Sequence, residues 1–177
     1  MKKIVAGVAM VLVLSGAYGC QQKNEQKQQP MNYTPAVSPA LLEIDRLQQA
    51  TKVTPQSAQA WTRLGDGLMD SQRFSEAIDA YEKSIALEPK NVNVLVDLGT
   101  CYRGVGKFDK AIEQYRKALK LDPNFPNAHR NMGVVMAFDL NNRAEGLKAF
   151  KKYLEVAPNS PDAPSIRQTI QELSAGK

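Results

Sequence analysis

Residues 58–91 read AQAWTRLGDGLMDSQRFSEAIDAYEKSIALEPKN, and residues 92–125, VNVLVDLGTCYRGVGKFDKAIEQYRKALKLDPNF, repeat the same pattern at a period of 34. Both copies carry a glycine in the first half, an alanine and a tyrosine in the second half, and a proline near the end. A third copy, residues 126–160, follows these two. In it the glycine and the proline are 25 residues apart instead of 24, so it contains one extra residue.

Each copy contains two apolar stripes with helical spacing. In the first copy Trp61, Leu64 and Leu68 fall at i, i+3 and i+7, and a second stripe begins at Ala77. This spacing predicts two amphipathic helices per copy. The second helices should end before the prolines at 89, 123 and 158, because the residue before proline is pushed out of the helical region. We also expect Ser75 and Asp109 to cap the second helices, since each has a short side-chain oxygen.

The period, together with the glycine, alanine, tyrosine and proline positions, resembles the tetratricopeptide repeat. The resemblance implies an all-α fold, a right-handed superhelix of antiparallel helix pairs with about three repeats and flanking helices. The divergent third repeat has Gly146 in place of alanine and His129 in place of Trp61. We place its extra residue in the turn around residues 139–143. A half repeat at 39–57 and a capping helix at 161–177 should close the two ends of the array.

The first residues have the pattern of a bacterial export signal. Lys2 and Lys3 precede an uncharged run, and Ala17-Tyr18-Gly19-Cys20 is similar to the lipobox of bacterial lipoproteins. We therefore expect a signal peptide at 1–19, a lipid anchor on Cys20 and a flexible tether over 20–38, in a protein of the bacterial envelope. Gln21 favours the outer membrane, facing the periplasm. Two alternatives stay open, namely ordinary cleavage to a soluble periplasmic protein and an uncleaved membrane anchor.

The sequence contains no complete motif for catalysis or for binding of a phosphate or a metal. Gly104-Val105-Gly106-Lys107 lacks the first glycine and the hydroxyl residue of a phosphate loop. His129 stands without a Cys/His cluster, and Cys101 is predicted to be a buried, inert thiol. Loss of residues 1–19 lowers the formal net charge from +5 to +3, with no basic patch for nucleic acid. We expect no catalytic site, metal, cofactor or small-molecule substrate, and hence no enzyme.

Function should then lie in the concave face, which first helices line in this family. The predicted partner-binding groove consists of Asp66, Met69, Asn93, Val96, Thr100, Arg103, Asn127, Arg130, Val134 and Phe138. The two arginines and the apolar residues could hold a partly apolar segment that carries a carboxylate. The alternative is an ordinary solvated helix face. The sequence thus predicts a membrane-anchored scaffold or assembly module that binds a protein or peptide of the envelope. Other readings are a periplasmic adaptor for a cell-wall hydrolase, and self-association through the array ends.

Overall fold

The structure is a computed structural model that describes residues 38–175. The predicted signal peptide, Cys20 and nearly all of the tether lie outside these residues. Eight α-helices and one short π-helical segment make up the described chain. They are α1 (Pro39–Val53), α2 (Ala58–Asp70), α3 (Phe74–Leu87), α4 (Val92–Gly104), α5 (Phe108–Leu121), α6 (Pro126–Val134), the π segment (Val135–Asp139), α7 (Arg143–Val156) and α8 (Ala163–Ser174). The predicted all-α fold of stacked helix pairs is confirmed.

Proline and short polar residues set most of the helix ends. Helices α3, α5 and α7 end one residue before Glu88, Asp122 and Ala157, each of which precedes a proline. Ser57 and Asn91 cap α2 and α4 by accepting from the backbone amides of Ala60 and Val94, both at 3.2 Å. These bonds satisfy amides that have no partner within the helix.

The predicted caps of the other two helices are wrong. Ser75 and Asp109 are the second residues of α3 and α5, and the cap positions belong to Arg73 and Lys107, which make no side-chain capping bond. The turn before each helix is tight and contains a residue with positive φ, Gln72 at 58° and Gly106 at 75°. The tight turn therefore starts each helix one residue before the side chain that was expected to cap it.

A glycine on the first helix packs directly against an aromatic ring on the second. A Cβ atom on Gly65 would lie 2.5 Å from Tyr81 Cε1, and one on Gly99 would lie 2.4 Å from Tyr115 Cε1. Both tyrosine side chains are fully buried. The third repeat uses Gly133 in the same way, with a Phe150 ring atom 2.6 Å from the ideal Cβ position. Close approach of the paired helices depends on these glycines in all three repeats.

The extra residue of the third repeat lies inside its first helix. The positive-φ turn residue comes seven positions after the glycine in the first two repeats, at Gln72 and Gly106, but eight positions after Gly133, at Asn141. The π segment, whose wider turns take up one additional residue, accounts for the difference. The insertion was predicted in the turn at 139–143, and that prediction is wrong.

The flanking helices cover the two ends of the core. Ile44 and Leu47 of α1 lie against Gly67 of α2, where an added Cβ would meet Leu47 Cδ1 at 3.0 Å. At the other end Ile166 and Leu173 of α8 are buried in a cluster with Phe150 and Tyr153. Within residues 38–175, no helix is both long and apolar enough for a membrane crossing.

Candidate functional site

Contacts between successive repeats bring the first helices together on one face. The amide of Asn131 on α6 donates to Thr100 Oγ1 on α4 at 3.2 Å. Arg103, one turn after Thr100, reaches Asp139 of the π segment. We call the surface formed by Asp66, Asp70, Asp97, Thr100, Arg103, Val134, Phe138 and Asp139 the first-helix face.

The residue after each glycine meets the aromatic ring of the second helix. Tyr81 donates its hydroxyl to Asp66 Oδ1 at 2.7 Å. In the next repeat the hydroxyls of Thr100 and Tyr115 are 3.5 Å apart. The third repeat replaces this polar pair by Val134 beside the ring of Phe150, which has no hydroxyl. The residue after the glycine therefore changes from acidic to neutral to apolar along the array.

Both predicted groove arginines already have carboxylate partners. Arg103 donates from Nε to Asp139 Oδ2 at 2.5 Å and from Nη2 to Oδ1 at 3.3 Å, a two-point contact. Arg130 donates from Nη1 to Asp162 Oδ2 at 3.0 Å. The bond from Arg103 to Asp139 raises the pKa of the Arg103 guanidinium. The array therefore balances both charges internally.

The end of the first-helix face over the first two repeats, which we call the acidic end, has carboxylates without such partners in the described chain. Asp66, Asp70 and Asp97 form no ion pair within residues 38–175. Burial of Asp97, together with repulsion from Asp66 and Asp70, raises the pKa of its carboxyl to about 6. Arg63, one turn before Asp66 on α2, is exposed and makes no ion pair with any of the three. The three carboxylates thus give the first two repeats a concentrated negative charge.

The third repeat carries the apolar part of the face. Phe138 is 58% exposed, which is unusual for a large aromatic side chain, and its ring lies 6.4 Å from that of Phe150 in a tilted arrangement. It follows Ala137 in the π segment, where the helix widens. Single exposed apolar residues need no explanation, but this one lies beside Val134 and the Arg103–Asp139 pair.

The other predicted groove residues differ in exposure. Asn93 and Asn127 are exposed, and Met69 is partly buried beside the hydroxyl of Tyr81. Val96 is an exception, because it is only 3% exposed and belongs to the core. Thr62 and Arg130, at the same position in the other two repeats, are partly exposed. Val96 has almost no surface to offer a partner.

His129 and Cys101, the residue types that could bind a metal or act as a nucleophile, are buried in the array. His129 Nε2 lies 2.8 Å from the carbonyl oxygen of Pro123, as Trp61 Nε1 lies 2.9 Å from that of Pro55. Burial raises the pKa of the Cys101 thiol to about 12, which suppresses its thiolate. Among residues 38–175, no three metal-ligating side chains cluster.

Two features of the face could not be read from the sequence. Asp139 and Asp162 neutralise the arginines from 36 and 32 residues away, and no local pattern links such distant positions. Asp97 is at the position of Arg63 and Asn131 in the other repeats, and the period alone does not indicate that it faces Asp66 and Asp70.

Comparison with known families identifies the repeats. Three family models, described as tetratricopeptide repeats or TPR repeat, match residues 58–91, 80–113 and 99–137. The chain therefore contains tetratricopeptide repeats. One curated relative, the small glutamine-rich tetratricopeptide repeat-containing protein 2 of Mycosarcoma maydis, is 43% identical over 42 residues. That match covers 24% of this chain and 12% of the relative.

Solved structures share the fold. A MamA protein is 31% identical with a TM-score of 0.62, and the match covers 67% of this chain and 64% of the MamA chain. Another MamA structure is 17% identical with a TM-score of 0.70, covering 79% and 85%. The first TPR of Spaghetti (RPAP3), solved with the HSP90 peptide SRMEEVD, is 24% identical with a TM-score of 0.62, covering 68% and 93%.

Proposed function

We propose that this protein is a scaffold that binds a segment of a partner protein on its first-helix face. The observation that carries the proposal is the exposure of Phe138, four positions after the partly exposed Val134, on a face where three repeats place different side chains side by side. Residues that define the fold are buried on the other sides of these helices. The exposed side chains of the first-helix face, Asp70 and Phe138 among them, are therefore free for contact with a partner.

The physical basis is burial of apolar surface together with polar contacts along an open groove. An aromatic side chain such as Phe138 offers a large apolar area, and covering it with a partner would stabilise a complex by roughly 1.5–3 kcal/mol. Partly exposed groups such as Thr100, Asn93 and Asn127 could add hydrogen bonds to a partner backbone. The RPAP3 domain, which has the same fold, was solved with a bound peptide, and this supports the same use here.

The proposal includes a place in the cell envelope. Lys2 and Lys3, the uncharged run after them and the Cys20 motif support export and lipid attachment at Cys20. A lipid-anchored array would hold its partners beside the membrane. The proposed location is the outer membrane, with the repeats facing the periplasm. Processes that need such assembly modules include the building of pili, secretion pores and outer-membrane barrels.

Crosslinking in intact cells tests the binding face. A photoreactive amino acid at Phe138 should capture a partner, whereas the same amino acid at Lys117, on an exposed outer face, should capture none or a different set. Phe138→Ser should reduce capture at a second groove position, Asn127, while Lys117→Ser should not. Capture of one partner at Lys117, with no capture at Phe138 or Asn127, would place the binding surface elsewhere.

The anchor has its own test. Cys20→Ser should abolish fatty-acid labelling and release the protein from membranes. Labelling that persists in this variant would exclude the lipid anchor. Release of the unmodified protein in soluble form would favour the second candidate, a soluble periplasmic adaptor that regulates an envelope enzyme such as a cell-wall hydrolase.

A further inference from the structure

We infer that the segment bound on the first-helix face is basic at the end that lies over the first two repeats and apolar at the end that lies over the third. This inference rests on the proposed function and adds the chemistry of the partner segment and the position of its two ends on the array. It replaces the carboxylate-bearing ligand that the arginines alone suggested.

The charge balance of the face excludes the arginines as the main attraction. A partner carboxylate would have to displace Asp139 from its two-point contact with Arg103, or Asp162 from Arg130. Asp162 also accepts a hydrogen bond from the hydroxyl of Tyr153, so its displacement would break a second contact. Exchange of one ion pair for another yields little net free energy.

At the acidic end the carboxylates are unpaired among the described residues, in contrast to the two arginines. Asp66, Asp70 and Asp97 come from two adjacent first helices, α2 and α4, and have no cationic partner in the described part of the chain. Burial of Asp97, together with repulsion from Asp66 and Asp70, raises the pKa of its carboxyl. A lysine or arginine of a partner would relieve this repulsion and form charge-assisted hydrogen bonds at the same time. Both the relief of repulsion and the new hydrogen bonds therefore favour binding of a basic residue at this end.

The position of the apolar residues gives the spacing between the two ends of the bound segment. Phe138 and Val134 are in the third repeat, two first helices along from Asp66. Packed helices lie about 8–10 Å apart, so the distance from α2 to the π segment is about 20 Å. An extended segment of about six residues covers that distance. The expected motif is one or two basic residues followed or preceded, about four to six residues away, by a large apolar residue.

Selection from a random library tests this chemistry without knowledge of the native partner. The full chain in detergent would be used to select displayed 12-residue peptides, and the enriched peptides would be synthesised and their affinities measured. We expect an excess of lysine and arginine combined with an aromatic or aliphatic residue. Replacement of the basic residues by glutamate should weaken binding at least about tenfold, and added salt should weaken binding of the basic peptides.

Matched variants test which end of the face binds the basic residues and which end binds the apolar residue. Asp70→Asn with Asp97→Asn should remove most of the charge dependence, and Phe138→Ser should remove the preference for the apolar residue. Glu113→Gln, which removes one carboxylate from an exposed outer face, is the control and should change neither. Variants that melt at or above the melting temperature of the parent chain exclude loss of fold as the cause.

Other outcomes would overturn the inference in distinguishable ways. Enriched peptides that are acidic and that lose affinity in Phe138→Ser would keep the binding face and reverse its charge preference. Peptides enriched without any charge bias would also refute the basic end. If no peptide is enriched and crosslinking at Phe138 captures nothing, the proposed function fails together with the inference. If a synthetic peptide of residues 21–37, which contains Lys23 and Lys27, binds more tightly than every selected peptide, the occupant is the chain itself and not a partner.

Discussion

A Cβ atom added to Gly146 would lie 2.6 Å from Ala137 Cβ and 2.8 Å from the Ala137 backbone nitrogen. The other two repeats have Ala77 and Ala111 at this position, both fully buried. The π segment brings the backbone of Ala137 close to α7, so there is no room for a methyl group. The insertion in one helix thus explains the glycine in the next.

Gly146→Ala should therefore destabilise the array. Alanine normally stabilises a helix interior by about 1 kcal/mol relative to glycine, but contact with the backbone of Ala137 should reverse the sign and cost about 1–3 kcal/mol. Urea unfolding of the purified chain measures the difference. Lys148→Ala, exposed on the same helix, is the control and should cost under about 0.5 kcal/mol. A Gly146→Ala chain more stable than the parent would contradict the proximity of the π segment.

Gly99→Ala should be destabilising for a different reason, which is contact with the ring of Tyr115. We expect a cost of about 1–3 kcal/mol in urea unfolding. In a Tyr115→Leu background the added methyl group should cost much less, because the ring atom at 2.4 Å is gone. This double-mutant cycle isolates the pair. Equal costs in both backgrounds would mean that some other atom fills the space near Gly99.

Asp97→Asn should stabilise the protein at neutral pH. The folded-state pKa of Asp97 is raised to about 6, from an unfolded value of 3.8. The folded state therefore holds the proton more tightly, and the wild-type chain loses stability as pH rises from about 4 to about 6. At pH 7 the variant should gain on the order of 1 kcal/mol, after allowance for partial exposure of the carboxyl.

Thermal or urea unfolding at pH 4 and pH 7 checks this prediction. The advantage of Asp97→Asn should nearly vanish at pH 4, where the carboxyl of Asp97 in the folded chain is protonated. Asp79→Asn, the same change on an exposed face of α3, should show no such dependence. An advantage that is equally large at pH 4 would point to improved packing instead of relieved repulsion.

Asp162→Asn should loosen α8. Asp162 accepts from the hydroxyl of Tyr153 and pairs with Arg130, and these contacts lower the pKa of its carboxyl to about 2. Their contribution is present in full above about pH 4 and is lost as pH falls toward 2. Because the carboxyl is close to solvent, the cost at pH 5 should be under about 1 kcal/mol. Hydrogen exchange should rise in α8 first, and Glu172→Gln, on the exposed face of that helix, should not reproduce the effect.

Much of the fold could be predicted because its signals are local. The apolar stripe that begins at Trp61 and the proline at 89 indicate a helix and a helix end within a few residues of sequence, and the period of 34 carries the same argument to the next repeat. The glycine and tyrosine that recur at this period are the residues at which the paired helices approach closely. The capping prediction at Ser75 failed, because the geometry of the turn starts the helix earlier than composition suggests.

The candidate site was only partly predictable. The list of groove positions came from the repeat, and most of these residues are at least partly exposed. Val96 is an exception, because its side chain is buried in the core, and burial depends on all neighbours in space and not on the repeat period. The roles of the arginines changed because each found an aspartate more than thirty residues away.

The sequence by itself determined the helices, their order and the repeated pairing of small and aromatic residues, since these follow from periodicity and from backbone preferences at glycine and proline. Only the tertiary structure decided where the extra residue of the third repeat is accommodated, which carboxylates remain without a cation, and which aromatic ring stays exposed. The reason is physical. Electrostatic balance and burial are sums over all neighbours in space, and neighbours such as Arg103 and Asp139 are brought together only when the repeats stack.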